Sequence, residues 1–122
     1  MQNQAAAAYG RTVQTTASPR ELEAQLLLKA AAKLQAIKDS WSGPSDALFE
    51  ALLYNRKLWT IFAASAAEPD NPHPPAVRNN IGSLAVFVLN RTLALQSHPS
   101  SEGLSALINI NAQIAAGLRG QA

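Results

Sequence analysis

The sequence predicts an all-α protein, a small bundle of four main helices, and three observations carry that prediction. Of its 122 residues, 24 are alanine and 16 are leucine, so about a third of the chain comes from two strong helix formers. Apolar residues recur at three- and four-residue steps over four long segments. Prolines stand at or just before the start of each segment, where a first helical turn tolerates them.

The first helix is predicted over 19–41. Ser18-Pro19-Arg20-Glu21 reads as a capping box, with Ser18 as N-cap, proline at N1 and Glu21 reaching back from N3. Leu27, Ala30, Leu34, Ile37 and Trp41 form its apolar stripe, and Ser42-Gly43-Pro44 ends it. The second runs from about Pro44 to Ala67. Leu48, Leu52, Trp59, Phe62 and Ala66 mark its core face, with Asn55 in the middle. Phe49, Leu53, Leu58 and Ile61 widen the apolar band beyond one stripe, as in a helix that is central or covered by a partner.

Four prolines within Glu68–Pro75 demand an extended crossover. The third helix follows from about Ala76 to Ser97. Its centre, Leu84–Leu89, is continuously apolar and could serve a buried strand. The flanking period through Val77, Ile81, Leu84, Val88 and Leu95 selects helix. Ser100 or Ser101 caps the fourth, whose apolar side is Leu104, Leu107, Ile108, Ile114 and Leu118. Residues 18–122 therefore form a single helical-bundle domain. Residues 1–17 read equally as a mobile arm or as a short docked fifth helix, since Tyr9 and Val13 lie four apart and Gly10 weakens the segment.

Several function classes fall away. With no cysteine there is no disulfide, zinc finger or thiol chemistry. The longest mostly apolar stretch, 58–67, is about half the length that crosses a bilayer. The amino-terminal residues lack the basic and apolar regions of a secretion signal, so membrane insertion is not expected and a cytoplasmic location is. His73 and His98 sit in proline-bound connections and are expected as exposed loop histidines, not metal ligands. Nucleophile, phosphate-binding and dinucleotide motifs are missing, so neither catalysis nor a cofactor is expected. The net charge of +2 comes from scattered residues, and only Arg56 and Lys57 are adjacent, too small a footprint for a phosphate backbone.

Protein binding remains. Only 15% of residues are charged, below the roughly 25% usual for soluble domains, so apolar surface awaits a partner. Asn55, Asn79, Asn80, Asn109 and Asn111 interrupt apolar segments. Each alone is best read as an amide satisfied by a neighbour or water. Together with the wide band of the second helix they suit a groove that receives an amphipathic helix.

The segments S-P-R-E-L-E-A-Q-L-L at 18–27, A-L-L-Y-N-R-K-L-W-T-I-F at 51–62, N-P-H-P-P-A-V-R-N-N-I-G-S-L-A-V-F-V at 71–88 and L-I-N-I-N-A-Q-I-A-A-G-L at 107–118 resemble the FlaF family of small bacterial regulators of flagellin production. The resemblance implies a cytoplasmic, non-enzymatic protein needed for flagellin synthesis and export, working alongside a regulator of the FlbT type that acts in the opposite sense. The leading expectation is a flagellin-binding export chaperone that covers a terminal helix of flagellin. A regulator acting on flagellin mRNA, directly or through a partner regulator, is the alternative. The expected partner-binding residues are Phe49, Leu53, Arg56, Leu58, Arg78, Phe87 and Arg91, with ordinary core as the competing reading for Leu58 and Phe87. Trp59, Phe62, Leu52 and Leu84 are assigned to the core.

Overall fold

Three serines begin three of the four helices, each accepting a hydrogen bond from the amide three residues on, as an N-cap does. Ser18 starts α1 (Pro19–Asp39), Ser45 starts α2 (Asp46–Ala67) and Ser100 starts α4 (Ser101–Leu118), with distances of 3.0–3.1 Å. Helix α3 (Pro75–Ser97) has no side-chain cap; Pro74 precedes it and Pro75 opens it. The computed structural model describes residues 18–120, and these four helices make an all-α bundle. The arm-or-helix alternative for residues 1–17 lies outside the described residues.

The expected boundaries shift by a few residues. Helix α1 stops at Asp39 instead of 41, because Ser40 closes it through its own N–H and hydroxyl to the Ala36 carbonyl. Trp41 packs against the core from outside the helix. Gly43 takes a left-handed φ of 90°, and the chain re-enters helix only after Ser45, so Pro44 precedes the cap. The capping box is half formed. Ser18 caps Glu21, but the Glu21 carboxylate turns away to Gln25 and Arg119.

Helices α1 and α4 pack most extensively, α2 lies against α1, and α3 lies along α2 while touching α4 at only a few points. Leu27, Leu34, Leu48, Leu52, Trp59, Leu104 and Leu107 are the fully buried large side chains between α1, α2 and α4. Trp59 and Phe62 meet edge to face with ring centroids 5.8 Å apart. The core assignment of Trp59, Phe62 and Leu52 holds, and Leu84 packs against the core partly buried.

A polar chain runs through this core. The Trp59 indole N–H donates to Asn111 Oδ1 at 2.9 Å. Asn111 Nδ2 donates in turn to Asn55 Oδ1 at 2.7 Å and to the Leu27 carbonyl at 3.4 Å. Three helices are thereby joined through fully buried groups. Asn111 bears out the reading of an amide satisfied by neighbours, whereas Asn55 is satisfied only at its oxygen; both are buried in the core and do not line a groove.

His73 corrects the expectation of an exposed loop histidine. It is buried, with Nε2 3.0 Å from Glu23 Oε1, pinning the crossover onto α1. Asn71 accepts from the His73 amide and donates to the Ser65 carbonyl and hydroxyl, which shapes the crossover between α2 and α3. His98 is exposed as expected.

The Glu21–Arg119 pair closes the ends of α1 and α4 with two hydrogen bonds of 2.7 and 2.5 Å. The Arg119 hydrogen bond holds the Glu21 carboxyl below its ordinary value of 4.5. A depressed carboxylate stabilises the fold above the unfolded value and loses that contribution as pH falls through the folded one. Glu21→Gln is therefore expected to flatten the decline of stability below about pH 4.5, read by urea melts at stepped pH. The core chain yields a second expectation. Asn111→Leu strands the Trp59 and Asn55 polar groups and should cost on the order of 1–3 kcal/mol. Asn55→Leu added to it should restore part of that loss, because one stranded amide is removed.

Candidate functional site

Helix α2 spends one side on the core and leaves another bare. Phe49, Leu53, Arg56, Thr60, Ala63 and Ala67 follow one another at alternating four- and three-residue steps, which places them on a single stripe. Phe49 is 37% and Leu53 40% exposed. Helix α3 carries a matching series at Asn79, Gly82, Val86, Leu89 and Leu93, with Val86 and Leu93 about 60% exposed (61% and 62%).

The two stripes face each other across an open furrow. At one end Ala63, Ala66 and Ala67 oppose Pro75, Gly82 and Val86 around about 650 Å³. Toward the other end Arg56 and Thr60 oppose Leu89, Leu93 and Gln96. Small side chains line the wide end, and a Cβ built on Gly82 meets nothing within 4 Å.

The other flank of α3 is also open. Val77, Asn80 and Ile81 oppose Ile114, Gly117 and Leu118 of α4 across a cleft of about 360 Å³. Seven residues on from Asn80, Phe87 shares that flank and is 42% exposed, with the Arg91 guanidinium stacked 5.3 Å from its ring centre.

The seven residues expected to bind a partner therefore divide. Phe49, Leu53 and Arg56 lie together on the α2 stripe. Phe87 and Arg91 lie on the opposite flank of α3 and do not join them. Leu58 corrects the exposed placement given to it: at 9% exposure it belongs to the core, on the α2 side away from the furrow. Arg78 lines the furrow's wide end, but its guanidinium is committed to structure. Its Nε and Nη2 each donate at 2.8 Å, to the carbonyls of Ala66 and Glu68 at the carboxyl end of α2. It satisfies carbonyls that a helix end leaves bare and sets a positive charge at the negative end of the helix dipole.

Ala63, Gly82, Val86 and Leu93 were missed by the sequence reading. Their signal was present as the repeated four-three step on α2 and α3, which becomes meaningful only once the two helices are known to be neighbours. Among the described residues no group of three or more His, Cys, Asp or Glu could hold a metal ion, and no helix is long and apolar enough to cross a membrane.

Fold and site define a small all-α bundle whose distinguishing surface is an open apolar face on an antiparallel helix pair. Over residues 5–118 the sequence matches the family described as Flagellar protein FlaF. That span is nearly the whole chain, so the protein belongs to the FlaF family and is a flagellum-related protein. No curated protein and no solved structure gives a significant match.

Arg78 yields a test of its structural role. Arg78→Ala should lower stability by about 1.5–3 kcal/mol, the range for hydrogen bonds to a charged group. Arg78→Lys should not restore it, because one ammonium cannot reproduce the fork that spans two carbonyls. Thermal melts followed by circular dichroism at 222 nm (a helix signal) decide both.

Proposed function

We propose that this FlaF-family protein is a flagellin-binding export chaperone of the cytoplasm that promotes flagellin synthesis and secretion. The observation that carries the reading is the open face of α2 and α3 in a protein of a flagellar family. A chaperone that works by covering a helix needs accessible apolar side chains, and Phe49, Leu53, Val86 and Leu93 supply them. The function is one of binding, without catalysis or cofactor. Its regulatory effect follows if the free and flagellin-loaded forms offer different surfaces to a second regulator, such as one of the FlbT type.

Titration calorimetry with monomeric flagellin tests the reading. A defined complex that survives moderate salt and shows a negative heat-capacity change is the expected result. Leu53→Asp should weaken that complex at least tenfold and leave the helical circular-dichroism signal unchanged, since Leu53 is 40% exposed. No complex at any salt concentration, combined with salt-sensitive retention of flagellin mRNA, would overturn the chaperone in favour of direct action on the message.

A further inference from the structure

The charged residues that line the furrow, Arg56 and Arg78, are both basic, and among the described residues no aspartate or glutamate lines it. Over their whole lengths α2 carries Asp46, Glu50, Arg56 and Lys57 and α3 carries Arg78 and Arg91; the two carboxylates lie near the start of α2, outside the furrow's lining. Arg78 is committed to the Ala66 and Glu68 carbonyls, and Arg91 lies over Phe87 on the other flank. Arg56 remains in the furrow's lining, and among the described residues it has no carboxylate partner.

We propose that the α2–α3 furrow is a docking site for one acidic amphipathic helix, seated as the third member of a coiled-coil-like trio. This inference rests on the chaperone reading and adds the location of the site and the chemistry of its occupant. The four-three spacing on both walls is the spacing a helix presents when its apolar seam faces two neighbours. The alanines and Gly82 at the wide end let a guest backbone approach closely, and Val86, Leu89 and Leu93 supply the larger contacts. From Pro75 to Leu93 the wall rises about 27 Å, enough for a guest of roughly 18 residues.

Charge chooses among occupants. A guest with glutamate or aspartate flanking its seam meets Arg56 favourably, whereas a basic guest meets like charge in the lining. A second copy of this chain seated furrow to furrow would set Arg56 and Arg78 against basic counterparts, with no carboxylate in either lining to offset them.

The full chain tests the proposal against two synthetic 21-residue helical peptides and against monomeric flagellin, followed by fluorescence anisotropy. Both peptides carry a leucine seam; one has glutamate at the flanking positions and the other lysine. Gly82→Trp fills the furrow where the structure has open space, and Arg56→Glu reverses the charge. Gly117→Trp fills the α3–α4 cleft as the control, again into open space.

The expected result is binding of the glutamate peptide and not the lysine peptide. Gly82→Trp and Arg56→Glu should each weaken it tenfold or more, with no effect of Gly117→Trp. Equal binding of both peptides, loss confined to Gly117→Trp, or no binding of either peptide would overturn the proposal. So would a wild-type dimer that Gly82→Trp makes monomeric, or amide shifts in residues 1–17 provoked by Gly82→Trp without any peptide, since either assigns the furrow another occupant. Flagellin bound with undiminished affinity by both furrow variants leaves the chaperone standing and removes the furrow. A glutamate peptide held in the furrow without flagellin binding does the reverse.

Discussion

The hydrogen-bonded chain from Trp59 through Asn111 to Asn55 orients the rest of the bundle. An indole N–H can only donate, so Asn111 must turn its oxygen toward Trp59 and its nitrogen toward Asn55. Asn55 must then answer with its oxygen, which leaves its own Nδ2 in the core without a partner. That stranded donor costs on the order of 1–3 kcal/mol. The compensation is alignment. With Asn111 also bonded to the Leu27 carbonyl, any slide of α4 along α1 or α2 would break bonds that no water can replace.

Consequences spread outward from that point. Helices α1, α2 and α4 share the polar chain and the large buried leucines, whereas α3 contributes no group to the chain. It is attached along α2, through Val88 and Leu95 in the core and the Arg78 clip at the end. Where α3 and α4 do come close, the contact is tight at one spot: a Cβ on Gly103 would lie 2.4 Å from Leu95 Cδ2. Elsewhere α3 stands off from α4, and both of its flanks face solvent.

The helices themselves were legible because their signals are local. Serine caps, prolines at first turns and the 3.6-residue period depend on neighbours within one turn, and they located all four elements within a few residues. The misplaced residues were decided by partners distant in sequence. Leu58 sits on the edge of a wide apolar band, and only the packing of α2 against its neighbours shows that it turns inward while Leu53 turns outward. His73 looked like a loop histidine because nothing near it in sequence pairs with it; its partner, Glu23, is fifty residues away. Arg78 read as a binding cation because its real acceptors are backbone carbonyls, which have no signature in the side-chain sequence.

The same division explains why an open apolar face and a buried core can coexist in so small a chain. Residues of α2 are divided by angle around one helix, Leu52 and Trp59 turned into the core and Leu53 and Arg56 on the exposed stripe. A guest on α3 would not touch the buried polar chain, since α3 supplies none of its members. The element with the fewest attachments is the one expected to open first in native-state exchange. An adaptable wall opposite a firmer one would suit the proposed guest helix, with α2 setting its register and α3 settling against its apolar seam.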